Sequence, residues 1–77
     1  MTDTYKSDQI GYTKIKDTVV STIKLPIAHG DYMYETMMYN AVSGEFSDYQ
    51  QRYKSEENAV LGHVKAVIFI TDYKQGE

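Results

Sequence analysis

His29, Glu35, Glu56 and His63 are the side chains of this sequence best suited to proton transfer or metal binding. Two imidazoles and one carboxylate can hold a divalent transition metal when the geometry brings them together, so His29, Glu35 and His63 form one candidate cluster. Their spacing is unspecific, with no HExxH pattern and no two histidines on one helix face. The simpler expectation for His63 is a partly buried helix histidine bonded to a neighbouring strand, with no resident metal or other cofactor. Glu35 interrupts an otherwise apolar strand parity. A buried carboxylate needs a partner, which Arg52, Lys54 or His63 could supply. The remaining catalytic inventory is thin: the sequence has no Gly-rich phosphate loop, no GxSxG elbow and no cysteine nucleophile. A non-enzymatic protein is expected.

Aromatic side chains are the second candidate feature. The chain has eight tyrosines, and Tyr32, Tyr34, Tyr39, Tyr49 and Tyr53 could stack against bases or cover a protein interface. Basic residues are not interleaved among them, so a nucleic-acid polymer is not expected. A protein partner, or a small nucleotide in a closed pocket, is. With Glu35, Met38 and Arg52, these tyrosines make up the expected binding set.

The elements that must position these residues follow from the pattern. Ile15, Val19, Ile23, Leu25 and Ile27 share one parity, and Thr18, Val20, Thr22 and Lys24 the other. That alternation reads as a strand whose first parity is buried, with Pro26 near its end. Gly30 and Asp31 mark a turn. A second strand runs from Tyr32 to Tyr39. Both of its faces are substantially apolar, so it needs cover on each. After turn residues at Asn40 to Gly44, a third strand lies within Phe46 to Lys54, its Gln50, Arg52 and Lys54 side facing water. Ser55 is a good N-cap, followed by Glu56 and Glu57 at the positive end of the helix dipole. Val60, Val64, Val67 and Ile68 make the apolar stripe of one helix, widened by Leu61 and Ile70. Gly62 lies opposite that stripe, open to close approach by another element.

Seventy-seven residues allow one domain with a small core, and the absence of cysteine rules out disulfide bracing. The expected division is a polar mobile segment at 1–14, an α+β domain at 15–70 and a polar tail at 71–77. The domain is a three-stranded antiparallel sheet under one C-terminal helix, in the order β-β-β-α. One helix covers only one side of such a sheet, so a homodimer through the other side is expected. The net charge of −3 argues against nonspecific nucleic-acid binding. Residues 28–57 hold six acids against Arg52 and Lys54, an acidic patch that could steer a basic partner. Neither a membrane span nor a signal peptide is apparent, which reads as a soluble intracellular protein.

Three stretches together resemble a known pattern. They are Val20-Ser21-Thr22, the run Tyr34-Glu35-Thr36-Met37-Met38-Tyr39, and the run from Arg52-Tyr53-Lys54-Ser55 through Ala59 to Gly62-His63. The pattern resembles that of small, mostly uncharacterised proteins of tailed bacteriophages, and it covers about residues 19–67. The loop at His29 is shorter here and lacks that family's glycine run, and Val64 stands where the family often has Glu. The resemblance implies a phage accessory protein in the host cytoplasm, with no particular activity attached. The expected function is binding and inhibiting a host protein, such as a component of a defence system. Competing expectations are a sequestering protein for a small nucleotide signal and a metal-dependent enzyme built on His29, Glu35 and His63.

Overall fold

The computed structural model describes residues 8–75, which form a four-stranded antiparallel sheet packed against one C-terminal helix. The strands are β1 (Gln9–Ile15), β2 (Thr18–His29), β3 (Tyr32–Asn40) and β4 (Phe46–Tyr53), and the helix is α1 (Glu56–Gln75). The sheet is a plain meander in the order β1-β2-β3-β4, so both outer strands are edges. The class is α+β, but the three-strand expectation is corrected to four.

The added strand comes from the segment expected to be mobile, since Gln9–Ile15 pairs with β2 in register from Gly11 opposite Thr22 to Ile15 opposite Thr18. Residues 1–7 of that segment lie outside the described residues. Gly11 and Thr13 stand where a strand usually shows apolar side chains, and this hides its alternation. The polar tail expected from residue 71 is likewise shortened, because α1 runs on to Gln75, and residues 76 and 77 lie outside the described residues.

Turn chemistry sets the hairpins. Gly30 has φ +61° in the two-residue turn that pairs His29 with Tyr32. Between β3 and β4, the Asn40 side-chain oxygen accepts the backbone N–H groups of Val42 and Ser43 at 2.8 and 2.9 Å. The regular pairing of β2 with β3 lapses between Lys24 and His29, around Pro26, which has no N–H for the ladder. At the start of α1, the Ser55 hydroxyl accepts the Asn58 N–H at 3.1 Å, the cap expected from its sequence position.

Packing departs from expectation on both sides of the helix–sheet contact. On β2, Val20 and Thr22 lie fully buried beneath α1; of the parity expected to be buried, Val19 is fully buried on the opposite face, Ile23 and Leu25 are half-buried and Ile27 is exposed. The core is Val20, Met38, Ala66 and Ile70, flanked by Ile15, Tyr49 and Val67. On α1 the inward residues are Ala59, Gly62, His63, Ala66, Val67 and Ile70, whereas Val60, Leu61, Val64, Ile68 and Phe69 are 46–55% exposed. The expected stripe of Val60, Val64 and Ile68 is therefore turned outward. The reason is one of size: where Tyr53 rises from the sheet the helix presents Gly62, and Ala59 and Ala66 continue this close row, with His63, Val67 and Ile70 also inward. Val64→Asp is accordingly expected to leave the chain folded, with a stability change of about 0.5 kcal/mol or less. A melting transition many degrees lower would place Val64 back in the core.

Candidate functional site

A polar chain runs through the middle of the helix–sheet contact. Tyr53 donates its hydroxyl proton to Thr36 Oγ1 at 3.1 Å, and Thr36 and Thr22 share a hydrogen bond of 2.5 Å. Thr22 Oγ1 lies 2.7 Å from His63 Nδ1, and Thr13 Oγ1 lies 3.0 Å from His63 Nε2. The chain touches all four strands and the helix. Thr22 and Thr36 are fully buried, and among the described residues no buried side-chain nitrogen or oxygen lacks a partner.

One sense of donation runs through the whole chain when His63 Nδ1 is the acceptor. Because Thr36 accepts from Tyr53, its own proton is available to Thr22, and the Thr22 proton then points at His63 Nδ1. In this tautomer Nδ1 accepts, and Nε2 carries the proton that Thr13 accepts. A second ring proton would turn Nδ1 into a donor and force Thr22 and Thr36 to reverse. Burial acts the same way, holding the His63 pKa below its ordinary value of 6.5.

Two glycines make room for this chain. A side chain at Gly11 would press on the His63 ring, with a Cβ only 2.8 Å from Cγ. A side chain at Gly62 would overlap the ring and hydroxyl of Tyr53. The element that approaches Gly62 closely is therefore β4 of the same chain. The Gly62-His63 pair reads as one device, the glycine admitting Tyr53 and the histidine joining the strands.

The candidate metal cluster does not assemble. Side chains alternate along a strand, so Thr36 faces α1 while Glu35 faces the opposite side of the sheet. His63 and Glu35 lie on opposite sides, and His29 is exposed at the β2–β3 turn. Among the described residues no three His, Cys, Asp or Glu side chains are placed to hold a metal ion. Glu35, only 8% exposed, instead accepts Gln50 Nε2 at 2.6 Å and Arg52 Nε at 3.0 Å, which singles out Arg52 from the three expected partners.

The expected binding set divides among four places. Met38 is core, 2% exposed, so it is removed from any binding surface. Tyr34 is half-buried opposite Tyr53. Glu35 and Tyr39 lie on the sheet face opposite α1, where they line a mainly apolar hollow with Ser21, Ile23, Met37 and Phe46. Burial, and to a smaller extent a bond that its hydroxyl donates to Tyr12, push the Tyr39 pKa up. Tyr32, Tyr49, Arg52 and Tyr53 line a groove of about 440 Å³ between β4 and the first half of α1. Burial also raises the Tyr49 pKa, with a smaller contribution from Tyr53. Gln51, Lys54, Asn58, Leu61, Gly62 and Lys65 complete the groove.

Lys65, Asn58 and the three threonines were not singled out from sequence. A mid-strand threonine within an apolar parity, as at Thr36 between Tyr34 and Met38, is the signal that could have marked the polar chain. Comparison with known protein families, curated proteins and solved structures finds no match. No helix among the described residues is long and apolar enough to cross a membrane.

Proposed function

We propose that the chain is a non-enzymatic phage accessory protein that binds a host protein through the outer face of α1. The observation behind this reading is the inversion of the helix. It buries Ala59, Gly62 and Ala66 and turns Val60, Leu61, Val64, Ile68 and Phe69 outward. A contiguous exposed set of large apolar side chains on a helix marks a surface that another protein covers. A host protein, such as a defence component, supplies the missing cover. The phage origin and the host cytoplasm rest on the sequence resemblance.

The same proposal includes a homodimer. The sheet face opposite α1 carries Ile23, Met37, Tyr39 and the 61%-exposed Phe46, and a twofold axis lets that one patch serve both subunits. A back-to-back dimer leaves both copies of α1 facing outward.

Sedimentation should give a dimer at micromolar concentration for the natural chain and a monomer for Phe46→Glu. A natural chain that stays monomeric at high concentration would remove the dimer. In a pulldown from host lysate, one stoichiometric protein should be retained by the natural chain and by Phe46→Glu. Val64→Glu should lose it while remaining dimeric. If Val64→Glu keeps the partner or loses the dimer, the roles given to the two faces are wrong.

A further inference from the structure

The groove between β4 and α1 has a composition unlike the rest of the molecule. Its lining takes in three of the eight lysines and arginines of the chain and none of the eleven aspartates and glutamates. In a protein of net charge −3, that is a local reversal of sign. Arg52 is held by Glu35, but among the described residues Lys54 and Lys65 have no carboxylate partner. Lys54 reaches over the Tyr32 ring, with Nζ 5.5 Å from its centroid. Beside these cations stand the rings of Tyr49 and Tyr53 and the side-chain amides of Gln51 and Asn58.

We propose that this groove binds a small phosphorylated aromatic molecule of the mononucleotide class. Each part of such a ligand has a matching group. The two lysines are point charges suited to a phosphate. The tyrosine rings offer faces on which a planar base stacks. Gln51 and Asn58 each carry both donors and an acceptor for the base edge or the sugar. A volume of about 440 Å³ lies within the range of small-ligand sites. Gly62 and Tyr53 lie together in the lining, and the Tyr53 hydroxyl is tied to Thr36, so this wall is already formed before a ligand arrives.

A polymer fits less well. Single-strand binding needs a basic track along several phosphates, whereas the acidic patch of residues 28–57 surrounds this groove in sequence. The site also stands apart from the outer face of α1, with which it shares only Leu61.

The test is a titration of the isotopically labelled natural chain with AMP, followed by amide NMR shifts. Adenosine, inorganic phosphate and a thymidine oligonucleotide are run in parallel. AMP should move the signals of Tyr53, Gly62 and Lys65 saturably, with adenosine and phosphate each binding at least about tenfold more weakly, because each lacks one of the two contacts. Lys65→Glu and Lys54→Glu change exposed side chains and should keep the natural melting temperature while weakening AMP about tenfold or more. Absence of saturable AMP shifts at these residues would overturn the proposal, as would AMP binding unchanged in both lysine variants. Phosphate binding as tightly as AMP would reduce the groove to an anion site and defeat the aromatic part. An oligonucleotide that binds far more tightly than AMP would defeat the mononucleotide class in favour of a polymer.

Discussion

Gly62→Ala is expected to lower the stability of the chain by about 2–3 kcal/mol, although alanine is the better helix former by roughly 1 kcal/mol. The sign is decided by Tyr53. Its ring and hydroxyl occupy the space that a Cβ on residue 62 would need. The ring must swing away, and with it goes the bond to Thr36. A double-mutant cycle separates the causes. Tyr53→Ala alone should destabilise, and adding Gly62→Ala to it should cost nothing further or give back the helix propensity. Additive losses would show that Gly62 matters for some reason other than the ring. Chemical denaturation with an unchanged m-value is the measurement.

His63 is expected to make stability fall as the solution is acidified from pH 7 to pH 5. Burial lowers its pKa in the folded chain, so below about pH 6.5 the unfolded chain takes up a proton that the folded chain refuses. Stability is therefore fully present above the unfolded pKa and is lost as pH drops toward the folded one. For one group the slope cannot exceed about 1.4 kcal/mol per pH unit. The hydroxyl chain adds to the penalty, since a protonated ring would have to turn Thr22 and Thr36 around. His63→Gln should flatten the dependence across this window, while His29→Gln, at the exposed turn, should not. His63→Ala should cost about 3 kcal/mol at pH 7, by leaving Thr22 and Thr13 without their shared partner and a hollow against Gly11. An NMR titration in which His63 protonates at its ordinary value would refute the depressed pKa.

Both predictions concern a pair of residues, Gly62 and His63, whose adjacency is visible in the sequence but whose roles are not. Their partners, Tyr53, Thr36, Thr22 and Thr13, come from four different strands. The aromatic groove is an intermediate case. Tyr32, Tyr49, Arg52 and Tyr53 were marked by type, yet only the packing of β4 beside α1 adds Lys65 and Asn58 to them. The candidate cluster of His29, Glu35 and His63 shows the opposite outcome, because suitable chemical types ended on different sides of a sheet.

By itself the sequence determined what short-range chemistry can decide. Ser55 caps the helix, Gly30 and Asp31 close one hairpin, Asn40 orders the next, and the alternation from Thr18 to Tyr53 yields three of the four strands. Each of these depends on neighbours within a few residues. The tertiary structure decided which faces meet. The helix turned Ala59, Gly62 and Ala66 inward and left its larger apolar residues outside, because a sheet already filled with Val20, Met38 and Tyr53 admits only small side chains at close range. Periodicity reports that a face exists, but the volume left by residues distant in the chain selects which face is buried.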